Sequence, residues 1–261
     1  MKDVPYKSSD NLTSYERARC RLDIHRPSDP SQATNAPVLI FFHGGGLMEG
    51  DKASAGTLTA LLNPHGVVVV GVNHRMSPHV KYPEYLRDCS AAIGWVKRNV
   101  GRYGGEPGRI FVSGHSAGGY LTMMLALGPG FLKDEGVSLS DLAGLIPIGG
   151  QMVTHSTVRA ERGIPRSVMI VDEASPLQHV RKIDPAVLLI CGDHDMPARR
   201  EENLLMQAWL KAAENTDVTF LCVPNRTHTQ VYDQCAEPDD PAGRAIVDFI
   251  RKHATAPEGV G

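Results

Sequence analysis

The pentapeptide Gly114-His115-Ser116-Ala117-Gly118 constrains this chain more than any other stretch, because of what flanks it. Residues 109–113 (Arg-Ile-Phe-Val-Ser) read as a short strand, and residues 119–127 (Gly-Tyr-Leu-Thr-Met-Met-Leu-Ala-Leu) as a buried helix. A strand that turns into a helix through Gly-x-Ser-x-Gly holds its serine on a tight, strained corner with the hydroxyl exposed. The flanking glycines let strand and helix approach closely. The same corner sets the Ala117 amide at a helix N-terminus, where backbone donors can hold an oxyanion. Ser116 is therefore a candidate nucleophile and Ala117 a candidate oxyanion donor. The competing reading is a glycine-rich loop that happens to contain serine, and the five residues alone do not separate the two.

The rest of the chain repeats the strand–helix rhythm. The apolar runs at 38–42 and 67–72 show no polar alternation, as expected of parallel strands covered on both faces. Further strands are expected at 142–148, 186–191 and 218–223, with Pro147 weakening the far end of the first. Helices are expected at 54–62, 83–100, 201–213 and 242–252. The first 35 residues, the stretch 15–24 among them, are expected to add antiparallel edge strands. This pattern predicts an α/β fold with a mostly parallel sheet and helices on both faces. No internal repeat or low-complexity linker divides the 261 residues, so one domain over 1–261 is expected, with the irregular segment 151–180 as a small cap at most.

Composition excludes some classes of partner. The net charge is −2 with no basic or acidic block, so neither nucleic acid nor a membrane surface is expected. No window approaches the roughly 18 apolar residues of a membrane span, and residues 1–6 lack the apolar segment of a signal peptide. Cys20, Cys89, Cys191, Cys222 and Cys235 have no metal-ligand spacing and read as free thiols, which implies a reducing, cytoplasmic setting. Cys191 and Cys222 are expected in the core. A monomer or homodimer is expected.

Partners for Ser116 can be sought along the chain. His43-Gly44-Gly45-Gly46 follows the strand at 38–42, and its glycines can turn backbone amides toward a ligand, which makes Gly44 and Gly45 candidate donors. His43 is expected to organise that loop. A serine nucleophile needs a base, and the base an orienting acid, in the order Ser, Asp or Glu, His for this type of turn. Gly192-Asp193-His194-Asp195 ends the strand at 186–191, where catalytic loops of parallel sheets lie, and leaves Asp193 and Asp195 both open. His228 follows the last strand and is the candidate base, whereas His253 reads as a solvated helix-end residue.

Together, His43-Gly44-Gly45-Gly46, Gly114-His115-Ser116-Ala117-Gly118, Gly192-Asp193-His194-Asp195 and His228 resemble the hormone-sensitive-lipase-like esterases of the α/β-hydrolase superfamily. Glu49-Gly50-Asp51-Lys52, Tyr82-Pro83 leading into Asp88-Cys89-Ser90-Ala91-Ala92-Ile93-Gly94-Trp95-Val96, and Ser175-Pro176-Leu177-Gln178-His179-Val180 narrow this. They are similar to the branch of bifunctional feruloyl and acetylxylan esterases, close to kynurenine formamidases. The resemblance covers roughly residues 20–252. It implies the α/β-hydrolase fold, Ser116 as nucleophile, Asp195 as acid, His228 as base, and Gly44 or Gly45 with Ala117 as oxyanion donors. It implies hydrolysis of a small-molecule ester, with no metal or organic cofactor, and leaves an arylformamidase as the alternative. A catalytically silent binding module is the reading from another class, and the full Ser, Asp and His set speaks against it. The chain departs from the branch at Leu47, where Trp is usual, at 196–199, and at 225–227. A roomier acyl side beside Leu47 and an apolar wall from Met152, Val153, Ile164, Met169, Ile170 and Val171 are expected.

Overall fold

The computed structural model describes residues 1–29, 32, 34–165 and 167–254. Residue 166 of the expected cap segment and residues 30, 31, 33 and 255–261 of the expected domain lie outside the described residues. In chain order the elements are β1 (Val4–Pro5), α1 (Ser14–Arg19), β2 (Arg21–His25), β3 (Ala36–Phe42), α2 (Gly56–Leu62), β4 (Val68–Val72), α3 (Glu84–Asn99) and β5 (Gly105–His115). There follow α4 (Ala117–Leu127), β6 (Leu142–Ile148), α5 (Ser156–Glu161), β7 (Ala186–His194), α6 (Arg199–Ala212), β8 (Val218–Thr227), α7 (Gln230–Asp233) and α8 (Pro241–Ala254).

Eight strands form one sheet in the order β1-β2-β4-β3-β5-β6-β7-β8. β1 and β2 pair antiparallel at one edge, and β4, β3, β5, β6, β7 and β8 run parallel. The unalternating apolar runs are explained by the two cores. Val38, Ile40 and Phe42 face α3, α4 and the inner side of α6, while Leu39 and Phe41 face α2, α7 and α8. Both faces of β3 are thus buried, as a central parallel strand requires.

One expectation about the strands fails. Residues 15–19 form a helix and not an edge strand, because Thr13 and Glu16 close a capping box: the Thr13 hydroxyl accepts the Glu16 amide and the Glu16 carboxylate accepts the Thr13 amide. β2 starts only at Arg21. The strand expected at 142–148 is borne out with Pro147 inside it: β6 runs through to Ile148 and pairs Pro147 with Gly114. On the β7 side the pairs Gly144–Ala186 and Leu145–Val187 resume only at Ile148–Ile190, so the missing proline N–H falls in an interruption of that ladder. Two side-chain expectations also change. Cys222 is only half-buried, on the outer strand, although Cys191 opposite it is fully buried. His253 is shielded, packing on Phe249 with Nε2 3.5 Å from Asp217.

The loops that matter leave the C-terminal ends of β3, β5, β7 and β8, with β3 beside β5, β7 beside β8 and β6 between the two pairs. Phe42 pairs with Gly114, and His194 with Thr227. The close approach of β3, β5 and α4 depends on two glycines. A Cβ on Gly118 would stand 1.9 Å from the Phe42 carbonyl oxygen, and one on Gly114 2.3 Å from the Gly118 backbone. Gly118→Ala should therefore force α4 off β3 and cost about 3 kcal/mol, at the upper end of overpacking penalties. Thermal unfolding should then show a midpoint lower by about 6–12 °C, and an unchanged midpoint would refute the packing argument.

Candidate active site

Ser116 lies between β5 and α4 with φ 56° and ψ −116°, a conformation that a non-glycine residue adopts only when its surroundings impose it. Its amide donates to Ile148 O at 2.8 Å and its carbonyl accepts the Tyr120 amide at 3.1 Å, so β6 and α4 both hold the turn. The side chain that results points at His228, which follows β8. Ser116 Oγ is 2.8 Å from His228 Nε2, and His228 Nδ1 is 2.6 Å from Asp195 Oδ1. An ionised carboxylate can only accept, so Nδ1 carries the hydrogen and Nε2 offers its lone pair to the serine hydroxyl.

Asp195 is nearly inaccessible, its side chain 1% exposed. Burial alone would raise its pKa, yet its hydrogen bond to His228, the His228 charge and the Met196 amide at 2.7 Å hold it below the usual carboxylate value. Asp193 is turned away, and its Oδ1 accepts the Arg226 amide at 3.2 Å. Of the two aspartates left open by position, Asp195 is the one in hydrogen-bond contact with His228.

The glycine loop sits over the serine. A Cβ on Gly44 would come 3.3 Å from Ser116 Cβ, and Gly45 and Gly46 take φ of 97° and 63°. Ala117 opens α4, so its N–H has no carbonyl four residues back within the helix. His43 is buried, its Nδ1 2.8 Å from Gly44 O and its ring stacked on His74 at 4.5 Å. Burial and the neighbouring His74 push its pKa down to about 3, so it is neutral.

His115 is a site residue that the motif did not single out. Its Nε2–H donates to His228 O at 2.8 Å, and its ring stacks on Tyr232 at 5.0 Å. Burial lowers its pKa to about 4, which keeps it neutral. It fixes the backbone of the candidate base from the residue next to the candidate nucleophile. The sequence signal was its place inside the pentapeptide, but nothing local shows that it reaches across to residue 228.

Above Ser116 opens a cleft of about 620 Å³. Its lining corrects two expectations. Leu47 does not face it: at φ 63° the side chain turns into the core and is 1% exposed, while Met48, about half-exposed, lines the cleft. The wall from residues 151–157 is polar, formed by Gln151, His155, Ser156 and Thr157. Met152 and Val153 are buried in the protein, Met169 and Val171 face outward, and neither Ile164 nor Ile170 lines the cleft, so among the described residues it lacks the expected apolar wall. A more apolar cleft of about 450 Å³, bounded by Leu62, Val67, Val247 and Ile250, lies at the opposite ends of the strands and holds none of the candidate residues.

Gly149 forms the floor beneath His228. It has φ 56°, and a Cβ there would lie 3.0 Å from His228 Cε1 and 3.1 Å from Nδ1. Gly149→Ala should cost about 1–2 kcal/mol for the left-handed conformation and displace the imidazole. A crystal structure of the variant should show the Ser116–His228 hydrogen bond broken, and an unmoved ring would contradict this reading.

Residues 22–136 match the family model described as BD-FAE. The chain is 30% identical over 227 residues to Esterase LipC of Mycobacterium tuberculosis, covering 79% of this chain and 56% of LipC. It is 27% identical over 245 residues to the probable isoprenylcysteine alpha-carbonyl methylesterase ICME of Oryza sativa subsp. japonica, covering 84% of this chain and 57% of that protein. It thus spans little more than half the length of these curated relatives. Among solved structures, an esterase of Pyrobaculum calidifontis superposes with a TM-score of 0.71 at 25% identity, over 90% of this chain and 82% of that one. A truncated carbohydrate esterase from gut microbiota superposes with a TM-score of 0.78 at 21% identity, over 98% and 96%, which speaks to the fold alone. With its mostly parallel eight-stranded sheet, its ordered motifs and these relatives, the chain has the α/β-hydrolase fold and is similar to hormone-sensitive-lipase-like esterases, with residues 22–136 matching the BD-FAE model.

Proposed function

We propose that this chain is a serine carboxylic-ester hydrolase that works through an acyl-enzyme. The observation that carries the reading is the unbroken hydrogen-bond line Ser116–His228–Asp195, at 2.8 and 2.6 Å, on a strained turn that opens into a cleft. His228 Nε2 takes the Ser116 proton as Oγ attacks the ester carbonyl. The carbonyl electrons move onto oxygen, which the amides of Gly44 or Gly45 and of Ala117 hold. The intermediate collapses, His228 gives its proton to the leaving alkoxide, and the alcohol departs. Water then attacks the acyl group by the same route and releases acid and free Ser116. Asp195 keeps the imidazole in its Nδ1–H tautomer and stabilises the transient imidazolium.

One hydrolase domain fits the single sheet, and Gln151, His155, Ser156 and Thr157, from the segment expected as a small cap, wall one side of the cleft. The cleft is open and its wall polar, with apolar contact from Met48 and Met196 at the rim. This supports short acyl groups, from acetyl to about hexanoyl. Each methylene that finds apolar contact can add up to roughly 1 kcal/mol, and longer chains would lie in water or on polar groups. Across p-nitrophenyl esters, kcat/KM should fall beyond about six carbons, whereas a profile still rising past ten would contradict the size reading. Higher kcat/KM for N-formylkynurenine than for p-nitrophenyl acetate would move the reading to a formamidase on the same groups.

Substitution separates the roles. Ser116→Ala should lower kcat by about 10⁴–10⁶, and Asp195→Asn by about 10⁴ through loss of the productive tautomer. Asp193→Asn should cost no more than a few-fold. More than a tenth of the activity surviving in Ser116→Ala, or reversal of the two aspartates, would overturn the assignment.

A further inference from the structure

A residue at the far end of the first helix contacts the loop that carries the amides proposed to hold the oxyanion. Arg19, the last residue of α1, reaches under the glycine loop. The two hydrogens of its Nη2 are shared among His43 Nε2 at 3.4 Å, Gly50 O at 3.1 Å and Asn73 Oδ1 at 3.3 Å, and its Nε donates to His74 O at 3.2 Å. Asn73 in turn donates to Asp51 Oδ2 at 2.9 Å, so the guanidinium is tied into a network.

Proton bookkeeping on His43 decides what that contact does. Gly44 O is an acceptor, so the hydrogen between it and His43 belongs to Nδ1. The ring is neutral and carries one hydrogen, so Nε2 is bare and must accept. A guanidinium has no lone pair to offer and can only donate. Arg19 therefore suits one of the two neutral tautomers, the one that holds Gly44 O.

That carbonyl sets an amide. In a trans peptide C=O and N–H point in opposite directions, so fixing Gly44 O on His43 aims the Gly45 N–H away from it. The neighbouring carbonyls are also occupied: Gly45 O accepts the Met48 and Glu49 amides at 3.0 and 3.1 Å, and Gly46 O accepts the Thr157 hydroxyl. Gly50 makes room for the arrangement, since at φ 114° a Cβ would lie 2.3 Å from His43 Nδ1 and 2.6 Å from Gly44 O.

We propose that Arg19 is a positioning residue for the oxyanion donors, acting by selecting the Nδ1–H tautomer of His43 and so the orientation of the Gly44–Gly45 peptide. The proposal rests on the reading of that loop as an oxyanion site. Arg19→Met in the full chain removes the donors while keeping much of the side-chain bulk. For p-nitrophenyl acetate, kcat should fall about tenfold to hundredfold, less than the 10²–10³ lost with a whole donor, with KM within about twofold. Affinity for a trifluoromethyl ketone, whose serine adduct carries an oxyanion, should weaken by the same factor. Nitrogen-15 NMR of histidine-labelled protein should show His43 leaving the Nδ1–H tautomer. Unchanged tautomer and unchanged ketone affinity would overturn the proposal. Should the methionine variant fail to fold, Arg19→Lys is measured in the same way. Tautomer and ketone affinity must then shift together or both stay, and a change in one without the other overturns it. Fluorophosphonate labelling of Ser116 in the unaltered chain separates the two readings, because its absence defeats the esterase assignment and not the Arg19 mechanism.

Discussion

The contact between Gly118 and the Phe42 carbonyl is the constraint on which the site's geometry depends. It joins the first turn of α4 to the end of β3 with no space for a side chain. Because Ser116 enters α4 and His43 leaves β3, one backbone contact sets both the serine turn and the start of the glycine loop. Gly114 tightens the same junction from β5. The strain at Ser116 persists because this junction, the Ile148 carbonyl and the Tyr120 amide over-determine it.

Around that junction the histidines are divided by the partners they hold. His43, buried, and His115, half-buried, are neutral and used as fixed donors, each to one backbone carbonyl. His228 alone among these three stands between a carboxylate and a hydroxyl. Burial turns two imidazoles into structural hydrogen-bond donors. The third keeps the environment that a proton-transfer group needs.

The parallel sheet and the four motif loops were legible because both are local. Runs of Val, Leu and Ile mark two-sided burial, and the loops follow strand ends. What stayed illegible is long-range or a matter of backbone angle. Leu47 continues a glycine run, and only its positive φ sends it inward and leaves Met48 at the cleft. The apolar residues of 151–180 show no period that tells core from surface, so the polar face of Gln151 to Thr157 could not be told from the apolar residues beside it. Arg19 is separated from His43 by 24 residues, and no spacing rule links them. The helix at 14–19 was missed because two short-range hydrogen bonds at Thr13 outweigh the strand-like composition that follows.

The central claim is that Ser116 forms the covalent bond during turnover. Rapid acid quench of p-nitrophenyl acetate hydrolysis, followed by peptide mapping with mass spectrometry, tests it directly. The account predicts a burst of p-nitrophenol and an acetyl group on Ser116 that builds within the first turnovers and decays as substrate is exhausted. Turnover with no acylated peptide, or with the acetyl group on another residue, would contradict it.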